Sequence, residues 1–172
     1  MSPVIRSVII VLVGLSLPGV VCAATHSFTA SIRFLEPVSL NSAVNPDLGT
    51  WSTGPSGRDL VLNTDSSVGG TNAADYLGGA TASTVTVVGS AVNAIDIVAN
   101  NFVANGGVAI NNIPCKYGAA AATTCGGAGI SAAAAPTTGG TTLLLGVDVV
   151  TTTPHVDGDT AAPTFDLVVS YN

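Results

Sequence analysis

Positive charge is what this sequence has least of. Lys and Arg together number four, against ten Asp and Glu, for a formal net charge of −6. Nucleic-acid binding needs a cationic face that displaces counterions from phosphates, so the shortage argues against that partner. It argues equally against electrostatic docking on anionic lipid. Charged residues of both signs make up only 8% of the chain, too few for the Glu–Lys pairs at helical spacing that support exposed helices. The chain also lacks a G-x-S-x-G nucleophile motif, a G-x-G-x-x-G turn and a phosphate-loop lysine. Its two histidines, His26 and His155, stand in no triad-like pattern. The expectation is a protein that is not an enzyme and carries no cofactor.

One apolar run is present, and it is short. Residues 1–25, "MSPVIRSVIIVLVGLSLPGVVCAAT", place one cation, Arg6, ahead of an apolar stretch from Val8 to Val21. Small residues follow at Ala23 and Ala24. That order is a secretory signal peptide. The stretch falls short of the roughly 20 apolar residues a membrane span needs. Residues 1–23 are therefore expected to be removed, with cleavage after Ala24 nearly as suitable, leaving no stable membrane span. An uncleaved anchor and a lipoprotein through Cys22 are weaker readings; bulky Val21 stands where the latter wants a small residue. The remainder, 24–172, has the length of one domain and buries roughly 68% of its unfolded surface. Its location is expected to be periplasmic, cell-surface or extracellular.

Cysteine is scarce and its count is informative. Of three cysteines, Cys22 leaves with the signal peptide, and Cys115 and Cys125 remain. An even pair in an exported chain reads as a disulfide. The short ring it closes is worth about 2.8 kcal/mol in loop-closure entropy. Two free thiols are the alternative. Zinc fits poorly, since no second pair exists and the nearest histidine is His155.

What the sequence has in abundance is Thr, Val, Gly, Ala, Asn and Ser, arranged with period two. "HSFTASIRF" puts Phe28, Ala30, Ile32 and Phe34 on one face. Leu60 pairs with Leu62, Val85 with Val87, and Ile95 with Ile97 around a solvent-facing Asp96. Leu143, Leu145, Val147 and Val149 align, as do Phe165, Leu167, Val169 and Tyr171. Period two marks strands with one buried face, and β-branched residues suit the pleated surface. Turn signals such as "VNPDLG", "STGPSG", "ANGG" and "HVDGD" punctuate these runs. The fold class predicted is all-β: an antiparallel β-sandwich with one long Ala/Gly-rich loop over 116–140. Two alanine runs there, 119–122 and 132–135, are far shorter than the ~12 residues an isolated helix needs. A surface loop or short helical turn tied by the disulfide is expected, with a binding loop as the functional alternative. The last alternating run is expected to be a core strand, with the Tyr171 hydroxyl reaching a rim.

Two further features leave alternatives open. Asp157 and Asp159, flanking Gly158, could lend oxygens to calcium, but the twelve-residue calcium loop is absent and an acidic turn is the simpler reading. Trp51, the sole tryptophan, is either a core plug or a platform for stacking a sugar.

Three stretches carry a resemblance. They are "NPDLGTW" with Leu48 and Gly49, "STVTVVGSAVNAIDI" with Val85, Val87 and Gly89, and "TFDLVVSYN" at Thr164 to Asn172. In that order they resemble a family of exported bacterial β domains of unassigned function. The first is a degraded match, lacking the family's aromatic and carrying Asp47. The architecture is similar to spore-coat-U-like and fimbrial, pilin-like subunit domains. The resemblance implies an Ig-like sandwich and a structural or adhesive role outside the cell, with no catalytic residues to carry over. The partners implied are other copies or surface subunits and a periplasmic chaperone. The strand holding Phe28, Ala30, Ile32 and Phe34 then has two fates: packing on its own sheet, or completing a neighbour's sheet as an assembly strand. A stand-alone extracellular module binding carbohydrate or another surface ligand is the alternative function.

Overall fold

The structure, a computed structural model, describes residues 31–172. The expected signal peptide, Cys22, His26, Phe28 and Ala30 lie outside the described residues. The chain divides into two compact units, Met1–Arg33 and Phe34–Asn172; the second is described below.

It is built almost wholly of strands. In chain order they are β1 (Ser39–Asn41), β2 (Thr50–Trp51), β3 (Asp59–Leu62), β4 (Val68–Gly69), β5 (Tyr76–Gly78), β6 (Ser83–Val88) and β7 (Ile95–Val103). Then come β8 (Val108–Asn112), β9 (Pro114–Tyr117), β10 (Thr123–Thr124), β11 (Ile130–Ala133), β12 (Thr141–Leu145), β13 (Val147–Thr151) and β14 (Thr164–Tyr171). A 3-10 turn at Ala73–Asp75 is the one helical element among the described residues. The fold is an all-β, antiparallel, sandwich-like arrangement.

One layer is made of two ladders, ordered β1-β6-β12-β9-β10 and β4-β3-β13-β8. They share two long chain segments. β8 runs into β9 through Ile113, and β12 runs into β13 through Gly146. At this joint the Gly146 N–H donates to the Pro114 carbonyl at 2.7 Å, so pairing between the two segments continues across the break. A Cβ at Gly146 would run into the Leu62 carbonyl, which is why the strand can change partners there only as glycine. Leu143, Leu145, Val147 and Val149 keep one parity through the joint, and all four are buried.

The second layer is the three-stranded sheet β11-β7-β14. Ile95, Ile97 and Ala99 of β7 are buried. Their cross-strand neighbours on β14 are Tyr171, Val169 and Leu167. These three and Phe165 pack half-buried against the core, while Asp166, Val168 and Ser170 face out. Val85, Val87, Leu60 and Ile110 of the first layer complete the same cluster. A two-stranded ribbon, β2-β5, lies apart from both ladders.

The Ala/Gly-rich segment is more ordered than its composition suggests. After a turn at Gly118 the chain returns as β10, pairing antiparallel with β9. It then crosses to the other layer. Ala99 N–H donates to the Cys125 carbonyl at 2.6 Å, and β11 pairs with β7. No helix forms at either alanine run: residues 119–122 make the turn between β9 and β10, and Ala132 and Ala133 pair on the edge of β7 as part of β11. Cys115 and Cys125 are joined as a disulfide and both are fully buried. The bond anchors the crossing segment to β9.

The first predicted strand differs. Its described part, residues 31–34, forms no strand. Ile32 is 77% and Phe34 84% exposed. Alternation supplies a face but not a partner edge, and Pro37, close behind, removes one backbone donor.

Candidate functional site: a sheet edge over an apolar groove

Among the described residues the terminal strand has one free side. β14 pairs only with β7 among the described residues. Its inward side chains Phe165 and Leu167 border a groove of about 490 Å³ between the layers. Opposite them are Leu40, Val44, Val85 and Leu145. One wall is residues 43–49, held where Asp47 and Thr81 exchange two backbone hydrogen bonds of 2.8 Å. The other wall is residues 161–163, which lead into β14. The interior is thus apolar and opens beside a row of unpaired backbone groups. Such an edge is a template for another strand.

The arm that could supply one is tied at its root. The Tyr171 hydroxyl donates to the Glu36 carbonyl and accepts from the Ser90 N–H. Gly89 passes so close that a Cβ there would come within 2.7 Å of the phenol oxygen. The tyrosine therefore clamps the chain at Glu36 to the turn between β6 and β7. N-terminal to the clamp, Phe34 and Ile32 stand exposed.

Electrostatics around the strand are mild. Asp166 on the outer face accepts from Asn101 Nδ2 at 2.7 Å. Asp96, outward on β7, accepts from Asn172 Nδ2 at 2.9 Å and from the Ala132 N–H at 2.8 Å. These two bonds, the Asn172 one foremost, hold its carboxyl below the usual range. Elsewhere, burial and then the nearby charge of Asp59 push Asp148 up.

The remaining candidates sit on the other side of residues 156–163. His155 Nδ1 is 3.6 Å from Asp159 Oδ2, and Nε2 is 3.4 Å from the Gly107 carbonyl. Asp159 turns back to accept the Val156 N–H at 2.8 Å, which closes an acidic turn, while Asp157 stays exposed. Trp51 is half-buried, with its indole N–H donating to the Leu48 carbonyl at 2.7 Å and its ring tilted 53° against Tyr76. It is thus a partial core contact and also lines a second cleft. Arg58 escaped the sequence reading. It is buried, its guanidinium pairs with Asp75, and it donates to the Ser52 carbonyl and hydroxyl. The hydrogen bond from Arg58 to Asp75, opposed by desolvation, holds the Asp75 carboxyl low. Nothing local marks Arg58, because its strand neighbour Thr151 is far along the chain.

No family model matches this chain, and neither a curated protein nor a solved structure matches it significantly.

Proposed function

We propose that the protein is an exported structural subunit of the cell surface that assembles through its N-terminal arm. The arm of one copy adds a strand to the free edge of β14 in the next and lays its apolar side chains into the groove. The observation that carries this reading is the coincidence of an eight-residue strand, paired among the described residues on one side only, over an apolar groove with exposed Ile32 and Phe34 beyond a clamped root. Two aromatic or branched side chains moving from water into the groove contribute roughly 1.5–3 kcal/mol each. The new ladder adds backbone hydrogen bonds, and alternate side chains set the register. The apolar leader and the Cys115–Cys125 bond both fit an oxidising compartment. A periplasmic chaperone is the partner that would cover the same edge before assembly.

The test is deletion of Thr25 to Phe34 in the exported protein. A folded monomer is expected, with near-parental melting, that no longer forms SDS-resistant ladders in unboiled cell-surface fractions. A synthetic "HSFTASIRFLE" peptide is expected to bind it. An unfolded deletion product, or ladders that persist without the arm, would overturn the proposal.

A further inference from the structure

The second cleft, of about 480 Å³, lies between β2 and residues 155–161, within the range of about 300–1,000 Å³ typical of small-molecule sites. Its back is apolar, formed by Leu60, Val108 and Val149. Trp51 forms one wall. Its indole N–H is already committed to the Leu48 carbonyl and the ring rests on Tyr76 with centroids 5.2 Å apart. What it offers the cleft is therefore a fixed aromatic surface and no hydrogen bond. Arg58, the one Lys or Arg in the lining, is neutralised by Asp75 and spends further donors on Ser52, and His155, also in the lining, faces Asp159 at 3.6 Å.

The rim has the opposite character. Thr53, Thr160 and Asp157 all line the cleft and are exposed. Their side chains make no hydrogen bond among the described residues. A rigid aromatic wall, a compensated cation and a rim of free hydroxyl and carboxylate oxygens together suit one chemistry. The ligand is flat and C–H-rich on one side, bears hydroxyls at its periphery and has no net charge. An anion would meet Asp157 with no free cation to offset it, and a purely apolar ligand would bury the rim oxygens unpaired.

We propose that this cleft binds a neutral sugar unit, its C–H face on Trp51 and its hydroxyls on Asp157, Thr53 and Thr160. The cleft shares the wall of Leu48, Gly49, Ala161 and Pro163 with the β14 groove, but none of Trp51, Thr53, Asp157 and Thr160 lines that groove, so this inference does not rest on assembly. A single tryptophan makes the test direct, since all indole fluorescence reports on the cleft. The mature protein is titrated with millimolar methyl glucoside, methyl galactoside and N-acetylglucosamine, with glucuronic acid as the charged control. A saturable fluorescence change with at least one neutral sugar is expected. Asp157→Ala is expected to weaken that binding about tenfold, the cost of losing one charge-assisted hydrogen bond, with unaltered melting. Saturation-transfer NMR on Trp51→Ala should show the sugar signal lost while circular dichroism stays parental. Three results overturn the proposal: no saturable response to any neutral sugar, tighter binding of glucuronic acid, or affinity unchanged in both variants.

Discussion

Replacing Tyr171 with phenylalanine tests the clamp with little collateral change. The ring stays, so its packing against the core cluster is kept and no large cavity opens. Only the oxygen goes, and with it two hydrogen bonds, to the Glu36 carbonyl and from the Ser90 N–H. The two orphans differ. Glu36 is exposed, so its carbonyl regains water at little cost. Ser90 is buried, at 8% exposure, and a buried donor without a partner costs about 1–3 kcal/mol. The expected loss is therefore about 2 kcal/mol, nearly all of it from Ser90. In urea the midpoint should fall by about 1 M at constant slope, taking a slope of roughly 2 kcal/mol per M. Amide exchange should accelerate at Ser90, whose N–H loses its partner. A variant as stable as the parent, with Ser90 still protected, would refute the clamp; it would mean that water replaces the phenol or that the bond carries no weight.

Two other outcomes follow from buried groups. Replacing Cys115 and Cys125 together by alanine should cost up to about 2.8 kcal/mol through restored loop entropy, and the unreduced parent should carry no alkylatable thiol; free thiols in fresh exported protein, or an equally stable double variant, would sink the disulfide. Asp148 has its carboxyl pushed up by burial and by Asp59, so its contribution favours the fold at low pH and is lost as pH rises from the usual carboxylate range through the raised folded value. Asp148→Asn should therefore gain stability over the parent at pH 7 and none at pH 3, read by paired denaturant melts; equal gains at both pH values would show that charge is not the cause. Asp65, Asp75 and Asp96, all held low by hydrogen bonds, have the opposite sign: their contribution is present at neutral pH and fades as pH falls below the usual carboxylate range.

Much of the core could be read from spacing alone. Leu60 and Leu62, Val85 and Val87, Ile95 and Ile97, and Leu143 to Val149 are buried in the pairs that alternation predicts, because inward burial in a half-covered sheet is a local consequence of period two. Sheet order was not legible, since each ladder joins strands distant in sequence. The partner change at Gly146 illustrates this: a glycine between two apolar runs reads as a turn until Leu62 is known to lie against it. Poly-alanine gave no hint of β10 and β11, whose conformation is set by the free edges of β9 and β7. Tyr171 was expected at a rim, but its partner Glu36 is 135 positions away and no pattern links them. Trp51, Arg58 and His155 likewise meet only because residues 54 and 155 exchange backbone hydrogen bonds.

The sheet edges themselves weigh on the choice between the two fates of the arm. Edge strands invite unwanted pairing, and proteins guard them by shortness, bulges, proline or lysine. β1 has three residues, β4 and β10 two each, and β11 is broken by an irregular register and a positive φ at Ala132. β14 has eight residues, with no proline or lysine, and its only register shift lies at its start, between Thr164 and Asp166. From Asp166 to Tyr171 it is regular and unguarded, beside an apolar groove. Phe34, at the start of the described unit, is 84% exposed. A regular edge with no second partner among the described residues and an exposed Phe34 are each a liability alone. In the proposed assembly the two would be complementary, each removing the other's cost.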